Sequence, residues 1–167
     1  MNRFMSKTND FIFPVYIYNS TLEQIIKLSR DSSKEIFGYL IGNILKWKNE
    51  LYIVIEEQLF IDDGVYSQQF STSQIEGTAG EYEKEFQKLK NLKKKDNLRI
   101  IGWWHSHPNF GCFLSSTDLH TQEYFFPESY QVALVVDPIN DEFKFFTLDK
   151  GSELGYKAIS NAIISSK

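Results

Sequence analysis

Two histidines lie two positions apart in the segment GWWHSHPNFGCFLSSTD, which covers residues 102–118. They are His105 and His107, two of only three histidines in the chain. Side chains alternate between the faces of a β-strand, so both imidazoles would point the same way, about 6.6 Å apart along the chain. Two imidazoles at that separation can lean onto one metal ion. The alternatives are a surface loop that carries histidines and a pair of hydrogen-bonded core histidines.

A carboxylate follows at a spacing that a loop can close. Asp118 comes thirteen residues after His105, and Pro108, which cannot donate to a sheet ladder, ends the strand. Asp118 falls in the first turn of a short predicted helix, which the loop can bring back over the strand end. Two imidazoles and a carboxylate suit zinc better than magnesium or calcium. Three protein ligands leave a fourth position for water, so the pattern predicts a catalytic site with one zinc ion per chain.

The elements that must position these groups follow from hydrophobic periodicity. The predicted order is α-β-β-α-β-α-β-β-α, with a polar, irregular loop at residues 65–78. This order indicates one domain, residues 1–167, of the mixed α/β (α+β) class, in which helices flank a mixed sheet. The core is expected at about residues 15–150. The predicted helices cover 21–32, 79–94, 116–126 and a C-terminal helix at 154–166, and the predicted strands cover 35–47, 51–61, 98–107, 130–138 and 142–149.

Composition narrows the function classes. The net charge of −4 gives no sign of the basic patch that a nucleic-acid binder carries. The one dense basic run, residues 90–95, follows acidic residues and is interpreted as a solvated helix end. The single cysteine, Cys112, excludes a disulfide within the chain. The sequence has neither the apolar stretch of a signal peptide nor a run long enough to span a bilayer. We therefore expect a soluble, cytoplasmic protein that binds neither nucleic acid nor membranes.

Two motifs in the chain resemble those of one enzyme family. The run HSHP, six further residues and then SSTD, at residues 105–118, matches the pattern H-x-H-P-x6-S-x-x-D at every fixed position. Far upstream, Glu35 is followed by Gly38 and Gly42 in the run EIFGYLIG. The chain is thus similar, over about residues 21–148, to the JAMM zinc metalloproteases of the JAB/MPN family. The resemblance implies an MPN-like (cytidine-deaminase-like) fold.

The resemblance also implies roles for individual residues. Zinc held by His105, His107 and Asp118 would lower the pKa of a bound water to about 7. Glu35 would be the general base that takes the proton from this water and later gives it to the leaving amine. Ser115 would donate a hydrogen bond to the tetrahedral oxyanion. In the family the bond is usually an isopeptide after the C-terminal glycine of ubiquitin or a ubiquitin-like protein. The length of the chain suits a stand-alone, prokaryotic-type enzyme of a ubiquitin-like conjugation system.

Two other functions remain open at this point. Family members without the ligands serve as non-catalytic scaffolds or interaction subunits. A zinc hydrolase could also act on a sulfur-carrier protein or on a small amide. A homodimer or a partner subunit is compatible with each of these functions. Residues 58–78 are a further hypothesis, because this polar region could order the extended C-terminal tail of a ubiquitin-like substrate against a strand edge.

Residues near the motif have alternative interpretations. Ser115 could be a helix N-cap as well as a catalyst. His120 is not expected to be a ligand, because two residues along a helix it points away from Asp118; it is expected either behind the ligands or at the surface. Cys112 is expected to be an ordinary loop residue rather than a zinc ligand or an oxidation-sensitive thiol. The pair Trp103-Trp104 is expected in the core, with Trp104 facing away from the metal.

Overall fold

The computed structural model describes residues 13–62 and 72–165. Within these ranges the chain forms three helices and eight strands, which is the mixed α+β class that the sequence predicts. The helices are α1 (Asn19–Asp31), α2 (Thr72–Lys93) and α3 (Ser116–Phe125). The strands are β1 (Val15–Tyr18), β2 (Phe37–Trp47), β3 (Glu50–Phe60), β4 (Arg99–Ser106), β5 (Val132–Asp137), β6 (Glu142–Leu148), β7 (Tyr156–Ile159) and β8 (Asn161–Ile164).

All eight strands belong to one mixed sheet, in the order β7-β6-β5-β4-β2-β3-β1-β8. The strand β4 lies near the centre, antiparallel to β2 and parallel to β5. The strands β7 and β8 are consecutive in the chain, yet β7 pairs with β6 and β8 pairs with β1 at the opposite edge. Because only Ser160 separates them, the sheet curves until its two edges meet.

The C-terminal helix predicted at residues 154–166 is wrong, since two short strands occupy Tyr156–Ile159 and Asn161–Ile164. The apolar spacing of this segment fits a helix, but both sheet edges present unpaired backbone groups. As two strands, the segment pairs with β6 and with β1, which sequence periodicity cannot foresee. The strand β1, which the sequence analysis did not predict, lies between β3 and β8.

The loop predicted at residues 65–78 is wrong where the structure describes it, because α2 already begins at Thr72. The remaining part, residues 65–71, lies outside the described residues. The first turns of α2 carry mostly polar side chains, so the apolar spacing that predicts a helix is absent there. Thr78 is buried there: its hydroxyl lies 3.0 Å from Gln74 O and 3.3 Å from Tyr39 Oη. Ile75 and Tyr82, one turn before and one turn after Thr78 on the same face, are also buried.

A hydrophobic core covers each face of the sheet. The helix α1 packs Leu22 and Ile25 into one core, and α2 packs Ile75, Tyr82 and Phe86 into the other. Successive residues of β4 enter alternate cores, as the pleat requires. The same two layers hold the strand that carries the histidines from both sides.

No helix in the described part of the chain is long and apolar enough to cross a membrane.

Two glycines let β2 lie close to its neighbours. A Cβ atom at Gly38 would lie 2.4 Å from Trp104 Nε1 and 2.6 Å from Leu59 O. A Cβ atom at Gly42 would lie 1.9 Å from Val54 O, at the point where the β2–β3 register shifts. Each distance is far below a van der Waals contact, so only glycine fits either position. Gly38 therefore lets β2 lie close to both β3 and β4, and Gly42 lets it lie close to β3, so the two glycines of the upstream motif position the strand that follows Glu35.

Candidate metal centre

Three buried side chains converge where β4 ends. His105 Nε2 and His107 Nε2 lie 3.1 Å apart. Asp118 Oδ1 lies 3.4 Å from His105 Nε2, and Asp118 Oδ2 lies 3.3 Å from His107 Nε2. Each of the three residues is at most 3% exposed. The structure thus brings together all three residues that the sequence predicts as metal ligands.

The spacing of these atoms fits one tetrahedral ion. Bonds of about 2.0–2.1 Å place neighbouring ligand atoms of a tetrahedral zinc site about 3.3 Å apart. The two imidazole nitrogens lie 3.1 Å apart, and each lies 3.3–3.4 Å from a different oxygen of Asp118. With one ligand atom from each residue, the three atoms all lie within 4.8 Å of one another. Within the described ranges, this is the group of histidine, cysteine and acidic side chains that could hold a metal ion. Electron-rich atoms this close need a shared cation or proton between them. The three side chains of His105, His107 and Asp118, called the donor set below, therefore suit a divalent metal.

The tautomer of His107 supports the same interpretation. Its Nδ1 lies 3.2 Å from Gly111 O, and because a carbonyl can only accept, Nδ1 donates and Nε2 keeps its lone pair. Burial lowers the pKa of His107, but the hydrogen bond and charge of Asp118, and the charge of Glu35, together raise it. These anionic surroundings favour positive charge at His107 Nε2, whether it arrives as a proton or as a metal ion.

The carboxylate is fixed by the start of α3. Ser115 is the N-cap: its Oγ accepts from Asp118 N, and Asp118 Oδ2 accepts from Ser115 N at 2.7 Å. This is a reciprocal capping box. Burial alone would raise the pKa of Asp118, but the two histidines and Ser115 lower it well below its usual range. The side chain therefore stays ionised, which a metal ligand requires.

A cleft of about 200 Å³ connects the donor set to the other two predicted site residues. Glu35, Ser115 and Asp118 all line it, together with His107. Ser115 Oγ accepts one hydrogen bond through a lone pair and so retains its own hydrogen for donation. The carboxylates of Glu35 and Asp118, the Ser115 hydroxyl and the His107 imidazole therefore share one open space. The remaining lining residues are Phe110, Phe113 and Thr117.

Behind the donor set, Trp103 holds the His105 ring in place. The two rings stack with centroids 4.3 Å apart and an interplanar angle of 13°. The indole N–H of Trp103 donates to Gln122 Oε1 at 2.8 Å, and Gln122 Nε2 donates to Phe126 O at 2.9 Å. A chain of contacts thus runs from α3 through Trp103 to a predicted ligand.

Asp137 is a site residue that the sequence analysis treated only as part of a turn. Its buried carboxylate accepts from the backbone N–H groups of Asn109 and Gly111, at 3.0 and 2.8 Å, and from Asn140 Nδ2 at 2.7 Å. Burial would raise the pKa of Asp137, but these donors, Asn140 first, lower it well below its usual range. Asp137 thereby clamps the loop whose Gly111 carbonyl orients His107. The signal in the sequence was an aspartate at a strand end with an asparagine three residues later.

The structure also settles the neighbouring residues. His120 is exposed and stacks on Tyr124, away from the donor set, as expected. Cys112 lies outside the donor group, its Sγ 3.4 Å from Val135 O, and burial raises the pKa of its thiol. Cys112 is therefore not part of the group that could hold a metal ion, and its role as an ordinary loop residue stays a prediction. Trp103 and Trp104 are fully buried in opposite cores, so Trp104 does face away from the donors.

Comparisons with known proteins agree with this geometry. A family model described as JAB1/Mov34/MPN/PAD-1 ubiquitin protease matches residues 14–128. The COP9 signalosome complex subunit 5 of Candida albicans is 36% identical over 109 residues, 64% of this chain and 17% of that protein. The ubiquitin carboxyl-terminal hydrolase RPN11 of Saccharomyces cerevisiae is 31% identical over 127 residues, 75% of this chain and 39% of that protein. The chain therefore spans well under half the length of these relatives.

A solved structure shares the fold at low sequence identity. The solution structure of protein DSY2949 from Desulfitobacterium hafniense matches with a TM-score of 0.58 at 15% identity, covering 91% of this chain and 94% of that one. The family match covers more than half of the chain and includes β4, the loop after it and α3. On these grounds the chain belongs to the JAB1/Mov34/MPN/PAD-1 ubiquitin protease family.

Proposed function

We propose that this chain is a cytoplasmic, zinc-dependent peptidase that hydrolyses the amide or isopeptide bond after the C-terminal glycine of ubiquitin or a ubiquitin-like protein. One observation carries the proposal: His105, His107 and Asp118 converge, with one ligand atom from each within 4.8 Å of the others, beside a cleft that Glu35 and Ser115 line. In this proposal, His105, His107 and Asp118 hold one zinc ion. No fourth ligand is contributed by the described residues, so the proposed site is of the open, catalytic kind.

The roles of the residues follow from their chemistry. When bound, Zn²⁺ supplies a Lewis acid that lowers the pKa of a water molecule to about 7. Glu35 lines the same cleft and takes the proton from the attacking water, then delivers it to the leaving amine. Ser115 donates its hydroxyl hydrogen to the oxyanion that develops on the scissile carbonyl. The capping bond from Asp118 N holds the Ser115 hydroxyl in place before substrate arrives.

The size of the cleft supports a chain terminus as the substrate. About 200 Å³ admits an extended run of small residues but not a folded domain. Phe110 and Phe113, both exposed, form apolar walls on one side. One relative carries ubiquitin carboxyl-terminal hydrolase in its name, and others are named as subunits of the 26S proteasome and of the COP9 signalosome.

A cleavage panel tests the proposal. Purified protein loaded with zinc is incubated with ubiquitin and ubiquitin-like proteins, each fused through its C-terminal glycine to a reporter, and with a sulfur-carrier fusion and a small peptide amide. The wild type should cleave at least one protein fusion. Glu35→Gln should retain fold and zinc but lose about 10³-fold or more in kcat. Glu123→Gln, an exposed acid on α3, is the matched control and should keep full activity.

The panel also separates the other functions. A folded, zinc-loaded wild type that cleaves nothing would refute the peptidase and favour an interaction subunit. Cleavage of the small amide alone would refute ubiquitin-like proteins as substrates while keeping the hydrolytic site. If Glu35→Gln retained activity, the reaction would need another base and the assignment of Glu35 would be wrong.

A further inference from the structure

Ser106, the residue between the two histidines, bonds to the segment that carries Glu35. Its side chain points to the face opposite His105 and His107 and is fully buried. Ser106 Oγ accepts from Ile36 N at 3.0 Å, and Ser106 N donates to Ile36 O at 2.9 Å. The partner, Ile36, immediately follows Glu35 in the chain.

These two hydrogen bonds lie where the next backbone pair of the β2–β4 ladder would be. The strands β2 and β4 end their register at Phe37 opposite His105. In a regular antiparallel ladder the next pair, Ile36 and Ser106, would exchange two backbone hydrogen bonds. One of them is present, but the Ile36 N–H goes to the hydroxyl of Ser106 instead of its carbonyl oxygen. The chain therefore leaves the path of β2 at Ile36, in a direction that the hydroxyl sets.

We propose that Ser106 is a positioning residue for Glu35: by holding the Ile36 amide, its hydroxyl fixes where the Glu35 carboxylate enters the cleft. The inference rests on the proposed function, in which Glu35 is the base. It gives the serine inside the HSHP run a task distinct from that of the histidines. The end of β4 then holds the histidines through one face and the backbone next to Glu35 through the Ser106 hydroxyl on the other, so one short segment positions both sides of the cleft.

Removing the Ser106 hydroxyl should displace Glu35 and leave the positions of the donor set unchanged. In Ser106→Ala the Ile36 N–H loses its acceptor or moves to the backbone carbonyl, and Glu35 shifts with it. A misplacement of about 1 Å in a catalytic group can cost about 100-fold in rate. We expect kcat to fall about 10- to 100-fold in Ser106→Ala. The KM and the zinc stoichiometry should stay unchanged, because both imidazoles lie on the opposite face.

A conservative pair separates the hydroxyl from the shape of the side chain. Ser106→Thr and Ser106→Val add the same bulk, but threonine keeps the acceptor and valine does not. Thr should retain most of the wild-type kcat, and Val should fall at least as far as Ala. Equal activities for Thr and Val would overturn the proposal. If the added methyl group prevents both the Thr and the Val variant from folding, the proposal is tested by Ser106→Ala with the double-mutant cycle and the hydrogen exchange described next.

A double-mutant cycle with Glu35→Gln distinguishes positioning from a structural role. If Ser106 acts through Glu35, then Ser106→Ala should lower the residual single-turnover rate of Glu35→Gln by less than about twofold. A loss of the same factor in both backgrounds would show a general structural effect and would overturn the proposal. So would a wild-type kcat in Ser106→Ala, or a loss of zinc from it.

Amide hydrogen exchange tests the contact without relying on activity. The Ile36 amide should exchange at least about tenfold faster in zinc-loaded Ser106→Ala than in the wild type, while the amide of His107, which donates to Val136 O, keeps its protection. Unchanged Ile36 exchange would overturn the inference. A wild type that binds zinc but cleaves nothing would instead overturn the proposed function, and the exchange result would show separately whether the contact exists.

Discussion

The two faces of β4 carry neighbouring tryptophans that are held in different ways. On the donor face, Trp103 stacks on His105 and its indole N–H donates to Gln122. On the opposite face, Trp104 Nε1 has no hydrogen-bond partner among the described residues, and the ring lies against the bare backbone of Gly38. Both side chains are fully buried. The donor face is thus fixed by directional contacts, and the opposite face is fixed largely by shape.

The difference shows how one strand can serve a site and a core. Directional bonds hold a ring in one orientation, which converging ligands need. Close packing gives stability through the fit of shapes rather than through the direction of a bond. Changes on the donor face should therefore alter metal affinity, whereas changes on the opposite face should alter the free energy of unfolding. Ser106 is an exception on the opposite face, since its hydroxyl bonds to the Glu35 segment.

The largest expected effect lies on the donor side. Asp118→Ala removes one of the three proposed ligands together with half of the capping box, so zinc affinity should fall by at least about 10³-fold, measured by calorimetric titration of the metal-free protein. Glu123→Ala, on the same helix but exposed, should leave zinc affinity unchanged. Full zinc retention in Asp118→Ala would remove this carboxylate from the ligand set.

On the opposite face, Gly38→Ala should lower the free energy of unfolding by about 3 kcal/mol. The added methyl group would press on Trp104 and on the backbone oxygen of Leu59. Zinc affinity of the folded protein should stay within about threefold of the wild type. Gly80→Ala, a helical position where a methyl group meets nothing within 4 Å, should instead stabilise the protein by up to about 1 kcal/mol. A stable Gly38→Ala would contradict shape as the determinant of this face.

Asp137→Asn should destabilise the protein by about 2 kcal/mol at pH 7, because an amide presents an N–H group to the loop donors. The folded-state pKa of Asp137 is lowered, so its carboxylate stabilises the native state above the unfolded value of about 3.9. That contribution is lost as the pH falls through the folded-state pKa. The difference between wild type and variant should therefore be constant at pH 6–7 and shrink below about pH 4. Urea titrations in a chelator measure it.

The exposed Asp96 provides the control for this pH dependence. Asp96→Asn should change the free energy of unfolding by less than about 0.5 kcal/mol at pH 7. A difference between wild type and Asp137→Asn that grew on acidification would contradict the role of the ionised Asp137.

The smallest expected effect is the difference in free energy of unfolding between variants of the two tryptophans. Trp103→Phe and Trp104→Phe remove the same ring atoms, but only the first leaves Gln122 Oε1 without its buried donor. The free energy of unfolding should therefore fall about 1–2 kcal/mol further in Trp103→Phe than in Trp104→Phe. Equal losses in chemical denaturation would show that the hydrogen bond to Gln122 adds nothing to packing.

Local sequence patterns predicted the donor set. They did not predict the features that depend on pairing between segments far apart in the chain. His105, His107 and Asp118 could be predicted because strand alternation and one short loop determine their approach. Ser106 could not, because its partner lies 70 residues away in sequence and the hydroxyl has no periodic signature. The C-terminal strands were missed for a similar reason: their pairing depends on a curved sheet whose two edges meet. The class of fold was predicted despite these errors because the central strands are runs of β-branched and aromatic residues, buried on both faces and bounded by turn residues.

The most direct test of the central claim is an anomalous difference map, measured at the zinc edge, from crystals of the zinc-loaded protein. The expected result is a single strong peak within about 2.0–2.2 Å of His105 Nε2, His107 Nε2 and an Asp118 carboxylate oxygen, with no fourth protein ligand. A map without a peak among these three side chains, or a peak closed off by a fourth residue, would contradict a catalytic zinc centre at the end of β4.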